Sequence, residues 1–137
     1  MKKTTPVSEI MTKNVITLSL SDSLVTAEER FKKNRIRHIP VVKDKHVVGM
    51  LSYTDLLRIS FADALSLDGE SLDDEVYEMF SLPQVMVHDV VSVSPDTSIK
   101  DVAKFLSKRE FHALPVIEND ELVGIVTTTD LINYLLE

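Results

Sequence analysis

The chain has 137 residues, enough for one compact domain or two small units sharing a core, and an ordinary globular share of apolar residues, 44%. Its 22 acids against 15 Lys and Arg leave a net charge of -7, which excludes a general nucleic-acid binder, because such a protein needs a basic face to displace counterions. With no cysteine there is neither a disulfide framework nor thiolate chemistry.

Met1-Lys2-Lys3-Thr4-Thr5-Pro6 has no apolar stretch after its lysines, and no run reaches membrane-spanning length. A soluble, cytoplasmic protein is expected. Val15–Leu18 reads as a short strand rich in β-branched residues. The polar turn Ser19–Ser23 then supplies an N-cap for a helix that carries Leu24, Ala27 and Phe31 on one face. Ile39–Val42 is the next strand, with Pro40 expected at a first position or an exposed edge. Lys43–Lys45 turns the chain into a strand through Gly49, where a missing side chain lets another group approach the backbone. Ser52 through Asp55 then opens a leucine-rich helix.

Ile59–Gln84 contains no Lys or Arg but has seven acids between Asp63 and Glu78. Leu67-Asp68-Gly69 is expected to break it, Ser71 to cap a short helix and Pro83 to end it. It reads as a helical connector outside the core, its acids a solvated face.

Beyond it the pattern returns. Val90–Val93 is a strand, Ser94–Ser98 a capping turn, and Ile99, Val102 and Leu106 a helix face with Phe105 beside it. Leu114–Ile117, Glu118–Asp120 and the Gly124 strand follow. At an offset of 75 (Gly49 to Gly124), residues 40–58 and 115–133 share seven identities, including Pro40/Pro115, Gly49/Gly124 and Asp55/Asp130. Met11/Met86 and Val15/Val90 align at the same offset. This is a tandem duplication of a β-α-β-β-α unit. The expected fold is α/β in the mixed α+β sense: residues 1–60, an acidic connector at 61–84, then 85–137, the repeats packed through their sheets about a pseudo-two-fold axis. A repeat of this size buries little alone.

The junctions Gly49–Asp55 and Gly124–Asp130 place hydroxyls and a carboxylate on a helix's first turn, where backbone N–H groups lack intrahelical partners. S/T-x-x-D/E before an apolar run is a capping box, which accounts for any one of Ser52, Asp55, Thr127 and Asp130 without a ligand. The second reading is a polar ligand. An aspartate repels phosphate, so Asp55 and Asp130 suit a neutral diol such as that of a ribose. Cations for a phosphate come from Arg35-Ile36-Arg37-His38 in the first repeat and from Arg109 and His112 in the second, where Ala113 replaces His38. A solvated basic helix end is the simpler account for Arg30, Lys32 and Lys33, and for Arg37 and His38 it stands level with the phosphate reading.

Two copies of an I/L-P-V strand and of a Gly-h-h-S/T-x-S/T-Asp strand–helix junction resemble a pair of cystathionine-β-synthase (CBS) domains, the Bateman module. The residues that carry the likeness are Arg37–Val41 with Gly49–Asp55 and His112–Val116 with Gly124–Asp130. The resemblance implies a regulatory sensor that binds an adenosine nucleotide (AMP, ADP or ATP) between the repeats, or alternatively S-adenosylmethionine or NAD. It also implies that Asp130 works with Thr12, Val15, Ile16, Arg37, His38, Thr127 and Thr129. Asp55 would work with Val87, Val91, His112, Ser52 and Thr54. Apolar members would pack on adenine. The Asp130 set, with Thr12 and the Arg37-His38 pair, is expected to hold phosphorylated ligand more tightly. The Asp55 set, with Val87 and Tyr53 in place of Thr12 and Thr128, is expected to be weaker or empty.

Three function classes follow. The first is this sensor, which requires no cofactor and modulates a separate partner or its own assembly. The second is a ligand-free interaction module, a homodimer formed through the apolar helix faces of Leu56-Leu57 and Leu131-Ile132-Leu135. The third, an enzyme, is not expected. His88-Asp89 and His112 lack a metal-ligand spacing, a Gly-rich phosphate loop and a nucleophile elbow, and His46 falls in a hairpin.

Overall fold

A computed structural model describes residues 4–66 and 77–137, at 60–66 as backbone alone. The expected break at Leu67–Gly69 and the Ser71 cap lie outside the described residues. Two compact units emerge, and they cut across the linear order of the repeats. Ile16–Asp89 forms one, here the middle unit; Met1–Val15 joins Val90–Glu137 in the other, the composite unit.

In the middle unit the elements run β1 (Leu18–Ser19), α1 (Leu24–Asn34), β2 (His38–Lys43), β3 (His46–Ser52), α2 (Tyr53–Ser66) and the single turn α3 (Leu82–Val85). Ser23 caps α1 by accepting from the Thr26 amide at 3.1 Å. Leu24, Ala27 and Phe31 are buried, as their spacing predicts. Helix α1 ends at Arg35, a non-glycine residue in the left-handed region (φ 53°), whose N–H returns to the Phe31 carbonyl. Strands β2 and β3 pair antiparallel and β1 lies parallel on the far side of β2. The core joins Leu18, Phe31, Ile39, Val41, Leu51 and Leu56, with the Tyr53 ring stacked on Phe31 at 5.2 Å between centroids.

In the composite unit a short turn at Val7–Glu9 precedes α4 (Ile99–Ser107), β4 (Ala113–Glu118), β5 (Glu121–Thr127) and α5 (Thr128–Leu135). Ser98 caps α4 through the Asp101 amide at 3.0 Å. The N-terminal segment is tied in by backbone bonds from Val7 to Thr97 (2.7 Å) and from Ile99 to Thr5 (2.8 Å). Val7, Val102, Leu106, Leu114, Val116 and Val126 form its core.

Both hairpins turn through two residues with positive φ, Asp44-Lys45 and Asn119-Asp120, the geometry whose twist matches flanking strands. Each carries a bulge two pairs in from the turn, leaving Val48 and Val123 without a cross-strand partner.

Several expectations change. The opening strands are shorter than Val15–Leu18 and Val90–Val93: only Leu18–Ser19 forms a strand, and Val93 makes a single bridge to Val116. The cause at Thr17 is visible, because its carbonyl accepts the Arg30 guanidinium at 2.6 Å. Arg30 is therefore a structural clamp between Thr17 and Asp22, not a solvated helix end.

Pro40 and Pro115 sit third in their strands and are buried, neither at a first position nor on an exposed edge. The register permits it. Their partners Met50 and Ile125 turn both backbone groups the other way, to Val87 and Thr12, so no ladder bond is asked of the proline nitrogen.

The C-terminal end of the acidic stretch lies inside the middle unit's core. Tyr77 and Leu82 are buried, the Tyr77 hydroxyl donates to Glu28 at 2.7 Å, and Pro83 stands in the first turn of α3 instead of ending the segment. Leu56 is likewise core, and Leu131 packs against the composite core. Among the described residues the exposed large apolars of the closing helices are Leu57, Ile132 and Leu135, with Leu136 just past the last turn.

Candidate functional site

Each unit carries one strand–helix junction, and each junction receives a segment distant in sequence. In the composite unit Thr12 pairs with Ile125 through both backbone bonds, at 2.9 and 3.0 Å. In the middle unit Val87 pairs with Met50 at 2.9 and 3.0 Å. Thr12 is thus held on β5, which leads to Thr127, Thr129 and Asp130, and Val87 on β3, which leads to Ser52, Thr54 and Asp55.

The glycines explain this approach. A methyl built on Gly124 would lie 2.5 Å from Met11 Sδ and 3.1 Å from the Thr12 carbonyl oxygen; one built on Gly49 would meet Met86 Sδ and, at 2.8 Å, Met86 Cε. The group that uses the space beside each glycine is a methionine thioether from the joining segment. That role was not read from the sequence, although the aligned Met11/Met86 pair was its signal.

The capping box at Asp130 is made. The Thr127 N–H donates to Asp130 Oδ2 at 2.9 Å, and the Asp130 N–H donates to Thr127 Oγ1 at 3.3 Å. At the other junction the Asp55 N–H donates to Ser52 Oγ at 3.0 Å, but the carboxylate turns to Arg58, whose Nη1 lies 3.2 Å from Oδ1. Capping and openness coexist: Asp55 retains 22% side-chain exposure, Asp130 is half-buried, and Thr54 and Thr129 are exposed.

The remaining candidates divide between the units. Of the Asp130 set, Thr12 (exposed) and Val15 (half-buried) belong to the composite unit; Ile16, Arg37 and His38 belong to the middle unit. Of the Asp55 set, Val87 is in the middle unit, while Val91 and His112 are in the composite unit. Val87 and Val91 are 51% and 41% exposed. The carbonyls of Arg37 and His112 accept the N–H groups of Tyr53 (2.8 Å) and Thr128 (3.0 Å), so each basic residue is fixed where its unit's closing helix starts. Arg109 is drawn elsewhere: its guanidinium lies 4.8 Å above the Phe105 ring. His88 is tied to the Pro83 carbonyl at 2.6 Å. Among the described residues no three His, Cys, Asp or Glu gather in a metal-holding group. The sequence reading also missed Arg58, though its i,i+3 spacing from Asp55 was legible.

Two sheet-and-helix units built to one plan, each closed by a glycine strand running into an aspartate-bearing helix, define a tandem pair. Residues 7–62 and 82–137 match the CBS domain profile, and the chain belongs to the CBS domain family. It is 31% identical over 131 residues to the protein MJ1225 of Methanocaldococcus jannaschii, an alignment covering 95% of this chain and 42% of that protein. The chain spans less than two thirds of that relative's length. Among solved structures, AcuB of Vibrio cholerae is 31% identical with a TM-score of 0.79, the match covering 96% of this chain and 90% of that one. The CBS domain pair of MJ0100, solved with 5′-methylthioadenosine and S-adenosyl-L-methionine, is 26% identical with a TM-score of 0.76 over 96% of this chain and 99% of that one. No helix among the described residues is long and apolar enough to cross a membrane.

Proposed function

We propose that this CBS pair is a regulatory sensor for an adenosine-containing small molecule, AMP, ADP or ATP, whose ribose hydroxyls donate to Asp130 and, in a second site, to Asp55. The observation that carries the reading is that each junction aspartate stands at a helix N-terminus, partly open to solvent, beside exposed hydroxyls and a joined segment. A carboxylate with spare lone pairs suits a neutral diol, and the helix's first N–H groups and dipole favour an anionic tail nearby. Thr12, Val15, Thr127 and Thr129 accompany Asp130, with Ile16, Arg37 and His38 retained as its adenine- and phosphate-recognising residues. Ser52, Thr54 and Val87 accompany Asp55, with Val91 and His112 retained likewise. S-adenosylmethionine is the second reading, favoured by the ligands of the MJ0100 pair. The output is a change in a partner protein or in a homodimer formed through helix faces that expose Leu57, Ile132 and Leu135.

The test is calorimetry and thermal shift with AMP, ADP, ATP, S-adenosylmethionine and NAD on the wild type, Asp130→Asn and Asp55→Asn. Asparagine keeps an oxygen for capping while removing the charge, which separates the ligand role from the cap. A ligand at a hundred times its Kd adds about 2.7 kcal/mol to stability. The sensor reading expects that gain from an adenosine compound and its loss in Asp130→Asn. No stabilisation by any of the five would leave the ligand-free interaction module.

A further inference from the structure

The two junction aspartates spend their charge differently. Asp130 Oδ2 accepts the Thr127 N–H at 2.9 Å and the Thr127 hydroxyl at 3.2 Å, within its own capping turn. Asp55 instead engages Arg58 through Oδ1, at 3.2 Å. The repeat offset pairs Arg58 with Asn133, so the composite unit has no cation at this place on its helix. The pair is local and solvent-facing, with Arg58 side-chain exposure of 73%, and an exposed i,i+3 ion pair adds little to stability. Its chemical consequence is larger than its energetic one. A guanidinium has five N–H donors in a planar fork, and the bond to Asp55 uses a single Nη1.

We propose that Arg58 is a specificity-determining residue of the Asp55 site, selecting a phosphorylated over an unphosphorylated adenosine ligand. The proposal rests on the adenosine reading above. A lone carboxylate that receives a sugar diol repels a phosphoryl group attached to the same sugar. Arg58 offsets that repulsion from one turn along the helix and turns its remaining donors to the phosphate oxygens, while one arm stays on Asp55. The composite unit, with Asn133 in the twin position, gets no such help from α5. The site expected to be weak from its Val87 and Tyr53 thereby gains a phosphate preference of its own.

The experiment uses the full chain carrying Asp130→Asn, which weakens the other site by taking the charge off its diol acceptor, and measures AMP and adenosine binding by calorimetry. AMP is expected to bind at least about 5-fold more tightly than adenosine, a preference that shrinks as salt rises because it is a charge effect on an exposed group. Adding Arg58→Gln is expected to cut that ratio by about half or more through weaker AMP binding, leaving the part owed to His112 and the helix N–H groups, with adenosine within about 2-fold because the Asp55 carboxylate remains. The converse, Asn133→Arg with Asp55→Asn, is expected to raise the AMP preference of the Asp130 site. An unchanged ratio in Arg58→Gln, with both ligands still bound, overturns the proposal. So does a chain that loses all adenosine binding on Asp130→Asn alone. If the wild type binds no adenosine compound, the sensor reading itself has failed, a result recognisable before any Arg58 variant is made.

Discussion

Replacing Gly124 with alanine puts a methyl group where β5 is most closely approached. Its Cβ would stand 2.5 Å from Met11 Sδ, 3.0 Å from Met11 Cγ and 3.1 Å from the Thr12 carbonyl oxygen. A thioether swings away at modest cost, but the carbonyl is the acceptor for the Ile125 N–H at 3.0 Å and cannot retreat without lengthening that bond. Overpacking of this kind costs about 1–3 kcal/mol, and the lower backbone entropy of alanine in a strand returns about 0.5–1. Because the carbonyl cannot retreat, the cost falls in the upper half of that range, and the net expectation is a loss of about 1–2.5 kcal/mol. Gly49→Ala should cost less, because the three nearest atoms there all belong to the flexible Met86 side chain. Urea unfolding followed by circular dichroism measures both, with Met11→Ala and Met86→Ala completing double-mutant cycles. Removing Met86 should rescue Gly49→Ala more fully than removing Met11 rescues Gly124→Ala, since the Thr12 carbonyl remains in the way. A Gly124→Ala protein as stable as the wild type would refute the packing account of these glycines.

Three further outcomes are expected. Arg35→Gly should stabilise the middle unit by about 0.5–1 kcal/mol, read as a higher urea midpoint, because the helix ends on a left-handed residue whose Cβ is a liability. Ser98→Ala should cost about 1 kcal/mol by stripping the acceptor from the Asp101 amide, with Ser98→Asp restoring most of it. For the proposed dimer, Leu57→Glu together with Leu135→Glu should give a monomer in sedimentation equilibrium while leaving the far-UV spectrum unchanged, because both side chains are at least half exposed; a dimer that survives would exclude these faces.

Much of this was legible because the relevant interactions are local. Helix α1 could be read from Ser23 and from the spacing of Leu24, Ala27 and Phe31, since cap and face lie within a few turns of one another. The same holds for Ser98 and α4 and for both hairpins, where Asp44-Lys45 adopts the turn of Asn119-Asp120 despite its weaker signal. The errors fell where the deciding partner is remote. Pro40 looked like an edge residue because nothing nearby in sequence reveals that Met50 turns its backbone groups to Val87. The acidic stretch looked like a connector outside the core because the partner of Tyr77, Glu28, lies 49 residues away.

The sequence by itself determined the duplication, the elements of each repeat and the two aspartate junctions, because repetition, hydrophobic period and capping are written in short stretches. Only the tertiary structure decided how the chain is shared out. It assigns Met1–Val15 to the unit of the second repeat, seats Met11 and Met86 against Gly124 and Gly49, and turns Asp55 to Arg58 while Asp130 caps its own helix. The first two outcomes depend on backbone pairing and close packing between residues tens of positions apart. The third depends on which rotamer a carboxylate takes when a cation lies one turn away, and a single chain's local pattern leaves all three open.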